Sequence, residues 1–333
     1  MKFSNIKIAF FDTKPYDRRF FEQENESFGF DIHFFEPRLN PDSVSMAHDY
    51  PVVCAFVNDN LGAATLEQLA KQKTKLIAMR CAGFNNVDLA AAHRHDITVT
   101  RVPAYSPRAV AEYTLGVLLT LNRSLHRAYN RVRDNNFSIN GFLGFDIFDK
   151  TIGVIGTGKI GLTFIQILQG LGVHILASDP YPNQAAAAEL HYDYVSLDEL
   201  YARSDVISLH CPLTPDNQHM INRRSIAKMK TGVYIINTSR GKLIDTAALI
   251  VGLKKHKIGG AALDVYEEEG DYFYEDLSAS AIADDILARL LTFPNVLVTS
   301  HQAFFTREAL TNIGRITLQN IADFLEGKLT IKL

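Results

Sequence analysis

Two stretches of alternating strand-like and helix-like runs, separated by one long helical segment, leave this 333-residue chain few folds to choose from. In the first stretch the strand-like runs are 6–11, 32–35, 52–57, 76–80 and 98–102, with helical patterns between them, clearest over 64–71 and 87–93. From Thr151 the alternation restarts, with strand-like runs at 152–155, 173–178, 206–209, 233–237, 261–265 and 296–299. Strands separated by helices pair in parallel through right-handed crossovers, and such sheets are covered on both faces. The length suits two domains better than one. The expectation is therefore an α/β protein with two doubly wound parallel sheets.

Between the two stretches, Tyr105-Ser106-Pro107 supplies an N-cap and a proline at the first helical position. Val110, Thr114, Val117, Leu118, Leu121, Leu125, Ala128 and Val132 follow in steps of mostly three and four, which predicts one amphipathic helix over 106–132. Its apolar stripe is broad for packing on one domain, so a homo-oligomer, dimer or tetramer, is expected. The tail 307–326 also reads as helix. A net charge of −3 without a basic stripe argues against nucleic acid as a partner. No apolar run approaches the ~20 residues that span a bilayer, and the N-terminus lacks a secretory signal pattern. Cys54, Cys81 and Cys211 are too few and too scattered for a disulfide framework or a zinc cluster, so a cytoplasmic location is expected.

The most specific local signal is Gly156-Thr157-Gly158-Lys159-Ile160-Gly161. A strand precedes it, a helical pattern follows, and Asp179 ends the next strand, which is the context a dinucleotide loop needs. Gly156 serves the tight turn, Gly158 the approach of a pyrophosphate, and Gly161 close helix–strand packing. The helix N-terminus offers N–H groups and partial positive charge to phosphates. A carboxylate at Asp179 suits ribose hydroxyls and repels a 2′-phosphate, so NAD is expected over NADP.

In an open parallel sheet ligands lie beyond the carboxyl ends of the strands, so ionisable residues directly after the second set of strands are candidate reacting groups. Arg240 follows run 233–237, and His301 follows run 296–299. Asp264 closes and Glu269 follows run 261–265, with Glu267 and Glu268 as neighbouring competitors. The acids beyond them, Asp271, Glu275, Asp276, Asp284 and Asp285, lack metal-ligand spacing. They are expected to form a solvated insertion, with no metal.

These segments, with Arg80-Cys81-Ala82-Gly83-Phe84-Asn85-Asn86-Val87-Asp88, residues 102–107 and Asp205 to Thr214, resemble the D-isomer-specific 2-hydroxyacid dehydrogenases over essentially the whole chain. Within that family the likeness is greatest to the members that act on D-lactate. The resemblance implies a Rossmann NAD-binding domain at 104–299 and a flavodoxin-like substrate domain split between 1–103 and 300–333. It implies reversible hydride transfer between NADH and pyruvate, with Arg240, Glu269 (the fifth residue after Asp264) and His301 as the catalytic set. The chemistry agrees. An arginine fork binds a 2-oxo acid carboxylate bidentately, and a histidine holds or releases a proton near neutrality. A glutamate beside that histidine orients it and stabilises its protonated form.

The resemblance further places Lys159, Ile160, His210, Cys211, Pro212, Asn217, Thr238, Ser239, Arg240 and Asp264 around the cofactor. The backbone of Ala82 and Gly83 would face the substrate carboxylate, and Tyr105 and Phe304 would wall a small pocket. Two other readings are a sibling enzyme for a bulkier 2-oxo acid or phosphoglycerate, and a dinucleotide-sensing binding protein of the same fold.

Overall fold

The computed structural model describes residues 3–333; Met1 and Lys2, part of the N-terminal segment read above, and the side chain of Asp271 lie outside the described residues. The chain divides into two units, Met1–Ser106 with Phe305–Leu333, and Pro107–Phe304.

In the first unit all five expected strands form: β1 (Lys7–Phe10), β2 (Asp31–Phe34), β3 (Val52–Ala55), β4 (Leu76–Met79) and β5 (Thr98–Thr100). They pair in parallel in the order β2-β1-β3-β4-β5, the flavodoxin-like arrangement. β3 and β4 are buried along their whole length, which explains their unbroken apolar sequence. The last helix, Arg307–Leu325, packs against helix Pro15–Asn25 in this unit, a docking that periodicity alone does not give. Thr306 caps it by accepting from the Ala309 N–H, worth ~1 kcal/mol. The side chain of Asn320 donates to the Arg101 carbonyl, and that of Asn312 to the Tyr105 carbonyl.

Beyond the carboxyl ends of β1, β3 and β4 lies a buried ionic group centred on Arg80. Its guanidinium is sandwiched between the rings of Phe10 and Phe56, 4.5 and 4.6 Å from their centroids. Nη2 donates to the Asp12 carbonyl at 2.7 Å, and Nε lies 3.5 Å from the Asp17 carboxylate. Asp59 is also buried, and accepts from the N–H groups of Leu39 and Phe56 at 2.6 Å each.

The second unit carries β6 (Thr151–Ile155), β7 (His174–Ser178), β8 (Asp193–Tyr194), β9 (Val206–Leu209), β10 (Val233–Asn237), β11 (Ile258–Leu263) and β12 (Val296–Val298). All are parallel, in the order β12-β11-β10-β9-β6-β7-β8. This is a Rossmann sheet extended by one strand, and its order reverses between β6 and β9. The edge strand β8 is absent from the sequence reading, since two residues at a sheet edge leave no periodicity to detect.

The segment after Ser106 departs from expectation. It forms two helices, Pro107–Asn122 and Leu125–Arg133, not one. Ser124 adopts the left-handed region at φ 50°, and the Asn122 side chain exchanges two hydrogen bonds with the backbone of Phe145, which ends the first helix there. The first helix buries Val110, Thr114, Val117, Leu118 and Leu121, while the second buries nothing. The junctions between units, at 106/107 and 304/305, lie three and five residues beyond the expected ones. At the second junction Asp264 is the reason: its carboxylate accepts from the N–H groups of Gln302 and Ala303 and fixes that loop to the Rossmann sheet. Among the described residues no helix is long and apolar enough to cross a membrane.

Candidate active site

β6 delivers the chain into the glycine loop. Gly156 sits at φ 95°, and a Cβ there would lie 2.6 Å from the Cys211 nitrogen. At Gly161 a Cβ would collide with the Gly156 carbonyl. A Cβ on Gly158, by contrast, would meet nothing within 4 Å. The loop is therefore closed on its protein side and open at Gly158, where helix Lys159–Leu168 begins. Open space against the N-terminal N–H groups of Lys159 and Ile160 is what a pyrophosphate requires, so the residues present fit a dinucleotide.

Asp179 follows β7 and binds the loop itself: its Oδ2 accepts from the Thr157 N–H at 2.6 Å and from the Thr157 hydroxyl at 3.1 Å. Oδ1 accepts from the Tyr181 N–H at 2.8 Å. Oδ1, with one donor, can take another, so the ribose role is compatible with these bonds.

The other cofactor candidates gather at the ends of β9 and β10. Nε2 of His210 lies 2.8 Å from the Ser208 hydroxyl, and burial pushes its pKa down to about 3, so the ring is neutral. Burial likewise pushes the Cys211 thiol up to about 11. The Cys211 carbonyl accepts from the Ser239 hydroxyl at 2.6 Å, tying the two strand ends together. Asn217 closes the turn after Pro212 by donating to its carbonyl and accepting from the Thr214 N–H. The buried hydroxyl of Thr238 lies 2.8 Å from that of Thr114 on helix Pro107–Asn122. Arg240 donates from Nη1 to the Ser239 carbonyl at 2.7 Å, and its own carbonyl accepts from Asn237.

The three competing glutamates separate cleanly. Glu269 Oε1 lies 2.8 Å from Nδ1 of His301, and its Oε2 accepts from the Tyr266 N–H at 2.9 Å. Glu267 instead meets Nε2 of His219 at 2.6 Å and accepts from the N–H of Thr246, first residue of helix Thr246–Lys254. Glu268 lies 3.5 Å from Lys242. His301 and Glu269 are 18% and 19% exposed, sheltered enough to strengthen their interaction but open to a small molecule.

Asp264 holds the histidine's loop from beneath. Its carboxylate accepts from Thr299, Gln302 and Ala303, while its carbonyl accepts from the His301 N–H at 2.8 Å. Burial raises its pKa against those hydrogen bonds. His301 takes up a left-handed backbone conformation, φ 54°, which the surrounding bonds must sustain. Phe304 is buried in the same unit, 8% exposed.

Of the remaining substrate candidates, Ala82, Gly83 and Tyr105 stand in the first unit. The Ala82 carbonyl accepts from Arg101 at 2.9 Å and the Gly83 carbonyl from the Cys81 thiol at 3.2 Å, which shapes the turn after β4. Tyr105 is half-buried.

Sequence reasoning missed His219, the Thr114–Thr238 contact, and Tyr274, whose hydroxyl donates to the His301 carbonyl at 2.9 Å. It also took the acidic stretch as merely solvated. Asp284 in fact caps helix Asp285–Leu291 and accepts from the Tyr266 hydroxyl at 2.6 Å. The capping signal, an aspartate before an apolar helical run, was present in the sequence.

Known proteins resemble this chain over nearly its whole length. Residues 115–303 match the family model described as D-isomer specific 2-hydroxyacid dehydrogenase, NAD binding domain. A 2-hydroxyacid dehydrogenase homolog of Haemophilus influenzae is 55% identical over 97% of this chain and 97% of its own. The D-lactate dehydrogenase of Escherichia coli is 53% identical over 97% of this chain and 98% of its own. A solved structure identified as the pyruvate reductase of Chlamydomonas reinhardtii superimposes with a TM-score of 0.92 at 44% identity, covering 98% of each chain.

Proposed function

The chain belongs to the NAD-dependent D-isomer-specific 2-hydroxyacid dehydrogenase family, and from that premise we propose that it interconverts pyruvate and D-lactate, with His301 as acid and base. The observation that carries the proposal is the sheltered His301–Glu269 pair at the carboxyl end of the Rossmann sheet. Bound NADH supplies the hydride. Glu269 occupies Nδ1, which leaves Nε2 of His301 to donate a proton to the carbonyl oxygen at C2, and to take it back in the reverse direction. Glu269 also compensates the charge of the imidazolium. Arg240, whose Nη1 is braced on the Ser239 carbonyl, presents the rest of its guanidinium to the substrate carboxylate. The substrate roles that the resemblance gives Ala82, Gly83, Tyr105 and Phe304 are kept as part of the proposal.

Pyruvate is favoured as substrate because the relatives that share half of this sequence include a D-lactate dehydrogenase, and a structural neighbour is a pyruvate reductase. NADH oxidation followed by absorbance with pyruvate, 2-oxobutyrate and phenylpyruvate tests this. Pyruvate should give the highest kcat/KM and the product should be D-lactate. A clear preference for phenylpyruvate, or an L-product, would overturn it.

We also infer a cytoplasmic homo-oligomer. Helix Leu125–Arg133 buries none of its residues, and nine residues are too few to hold a helix in water unaided. Arg131 donates to the carbonyls of Ser138 and Asn140, which folds the following loop back onto it. Leu125, Tyr129 and Val132 on the helix and Phe137, Ile139 and Leu143 on the loop that follows are 48–100% exposed. An apolar surface of that kind supports a self-complementary contact with a second copy.

A further inference from the structure

His301 is held at more points than acid–base chemistry alone demands. Its left-handed backbone, φ 54°, is one that a side-chain-bearing residue leaves unless its neighbours oppose the change. Its N–H is bound by the Asp264 carbonyl and its ring by Glu269. Its carbonyl accepts from the Tyr274 hydroxyl at 2.9 Å, and the tyrosine ring lies 6.0 Å from the imidazole, inclined at 33°.

Tyr274 and Glu269 stand five residues apart on one segment. That segment is anchored by a small separate core of Tyr266, Phe273 and Leu287, against which Tyr274 and Val298 pack, and by the bond from the Tyr266 hydroxyl to Asp284. One piece of chain therefore meets the histidine twice, at the ring nitrogen and at the carbonyl.

We propose that Tyr274 is a positioning residue for His301, its hydroxyl fixing the main chain in the one conformation that keeps Nδ1 on Glu269. Without that hydroxyl the carbonyl is released, the backbone relaxes, and the imidazole swings away from the carboxylate. The consequence for function rests on the reading of His301 as acid and base. Among the described residues, the charged groups that face the imidazole are Glu269, and Asp264 beneath its loop; both are retained when only the tyrosine oxygen is removed.

Tyr274→Phe is the test, because it keeps the ring and removes the hydroxyl that binds the His301 carbonyl. In the cofactor-free protein, the imidazole signals of His301, assigned by their absence in His301→Gln, should move at fixed pH in Tyr274→Phe from their wild-type positions towards those of Glu269→Gln. Glu269→Gln should move them further, and Tyr274→Phe/Glu269→Gln no further than Glu269→Gln alone, since both act through one contact. In turnover, Tyr274→Phe should lower kcat for pyruvate reduction about 3–10-fold, the effect of one hydrogen bond. NADH affinity and Tm should stay as in wild type. Unmoved imidazole signals, additive shifts in the double variant, or a fall in Tm that accounts for the lost turnover would each overturn the proposal. The imidazole signals read the contact itself, so activity surviving in His301→Gln would sink the acid–base reading and leave the positioning role standing.

Discussion

Glu269 Oε1 meets Nδ1 of His301 at 2.8 Å while its Oε2 is pinned by the Tyr266 N–H, so two contacts fix the orientation of the carboxylate. Its negative charge favours the protonated imidazole. Under the proposed assignment pyruvate reduction takes a proton from His301 and lactate oxidation returns one, so reduction should fall as pH rises and oxidation as pH drops. Glu269→Gln keeps the shape and removes the charge, so the alkaline limb of the reduction profile should move to lower pH with NADH affinity little changed. His301→Gln should cost ~10²–10⁴ in kcat in both directions. Glu267→Gln should leave the limb in place, because that carboxylate serves His219 and the helix at Thr246. If Glu267→Gln moves the profile and Glu269→Gln does not, the pairing is wrong.

The proposal makes Asp179 responsible for cofactor choice. NADH should exceed NADPH by at least about tenfold in kcat/KM, ~1.4 kcal/mol. Because the same carboxylate binds the Thr157 and Tyr181 N–H groups, truncation to alanine would also loosen the loop. Asp179→Asn retains an acceptor and removes the charge that repels a 2′-phosphate. It should narrow the NADH/NADPH ratio mainly by improving NADPH. Steady-state kinetics with both cofactors decide it, and an unchanged ratio counts against the role.

The strands and the glycine loop were legible because their signals are local: period, turn residues and a helix start lie within a few positions of each other. The place of Glu269 came from family spacing, since three adjacent glutamates look alike until their different partners, His219, Lys242 and His301, are known. The break at Ser124 was invisible for a related reason. Leu125 and Val132 continue the apolar stripe of the preceding helix, and only the bonds between Asn122 and Phe145 end it. Tyr274 and Arg80 were missed because contacts 27 and 68 residues apart in sequence leave no pattern in it.

Arg80 should matter most for stability. It is 2% exposed and is the buried cation facing Asp17, with Asp12 and Asp59 close by in the same buried region. Arg80→Met keeps the packing between Phe10 and Phe56 but leaves buried carboxylates uncompensated, which should cost ~3–5 kcal/mol. Urea unfolding measures this directly, and a loss below about 1 kcal/mol would show the charge to be dispensable.

Asp59 adds a pH signature. Burial raises its pKa from 3.8 to about 6, against the opposing effect of Arg80 and two N–H donors. The folded state thus binds this proton more tightly than the unfolded state. The resulting stability is fully present below pH 3.8 and is lost as pH rises through about 6. Unfolding free energy should accordingly carry a component that decreases between those limits and disappears in Asp59→Asn.

The exposed apolar face of helix Leu125–Arg133 gives the last prediction. Sequence periodicity assigned the association surface to one long helix, but the first part of that stripe is consumed inside its own unit, where Val117, Leu118 and Leu121 are buried. What remains for a second copy is Leu125, Tyr129 and Val132 with the loop residues Phe137, Ile139 and Leu143. Fully burying one large apolar side chain contributes ~1.5–3 kcal/mol, so a symmetric contact, which uses each residue twice, is sensitive to a single charge placed at its centre. Tyr129→Glu should therefore shift the protein from dimer or tetramer to monomer at micromolar concentration in sedimentation velocity. Val117→Ala, on the buried part of the stripe, should lower Tm without changing the assembly. A wild-type monomer, or a Tyr129→Glu protein that sediments like wild type, would remove this face as the interface.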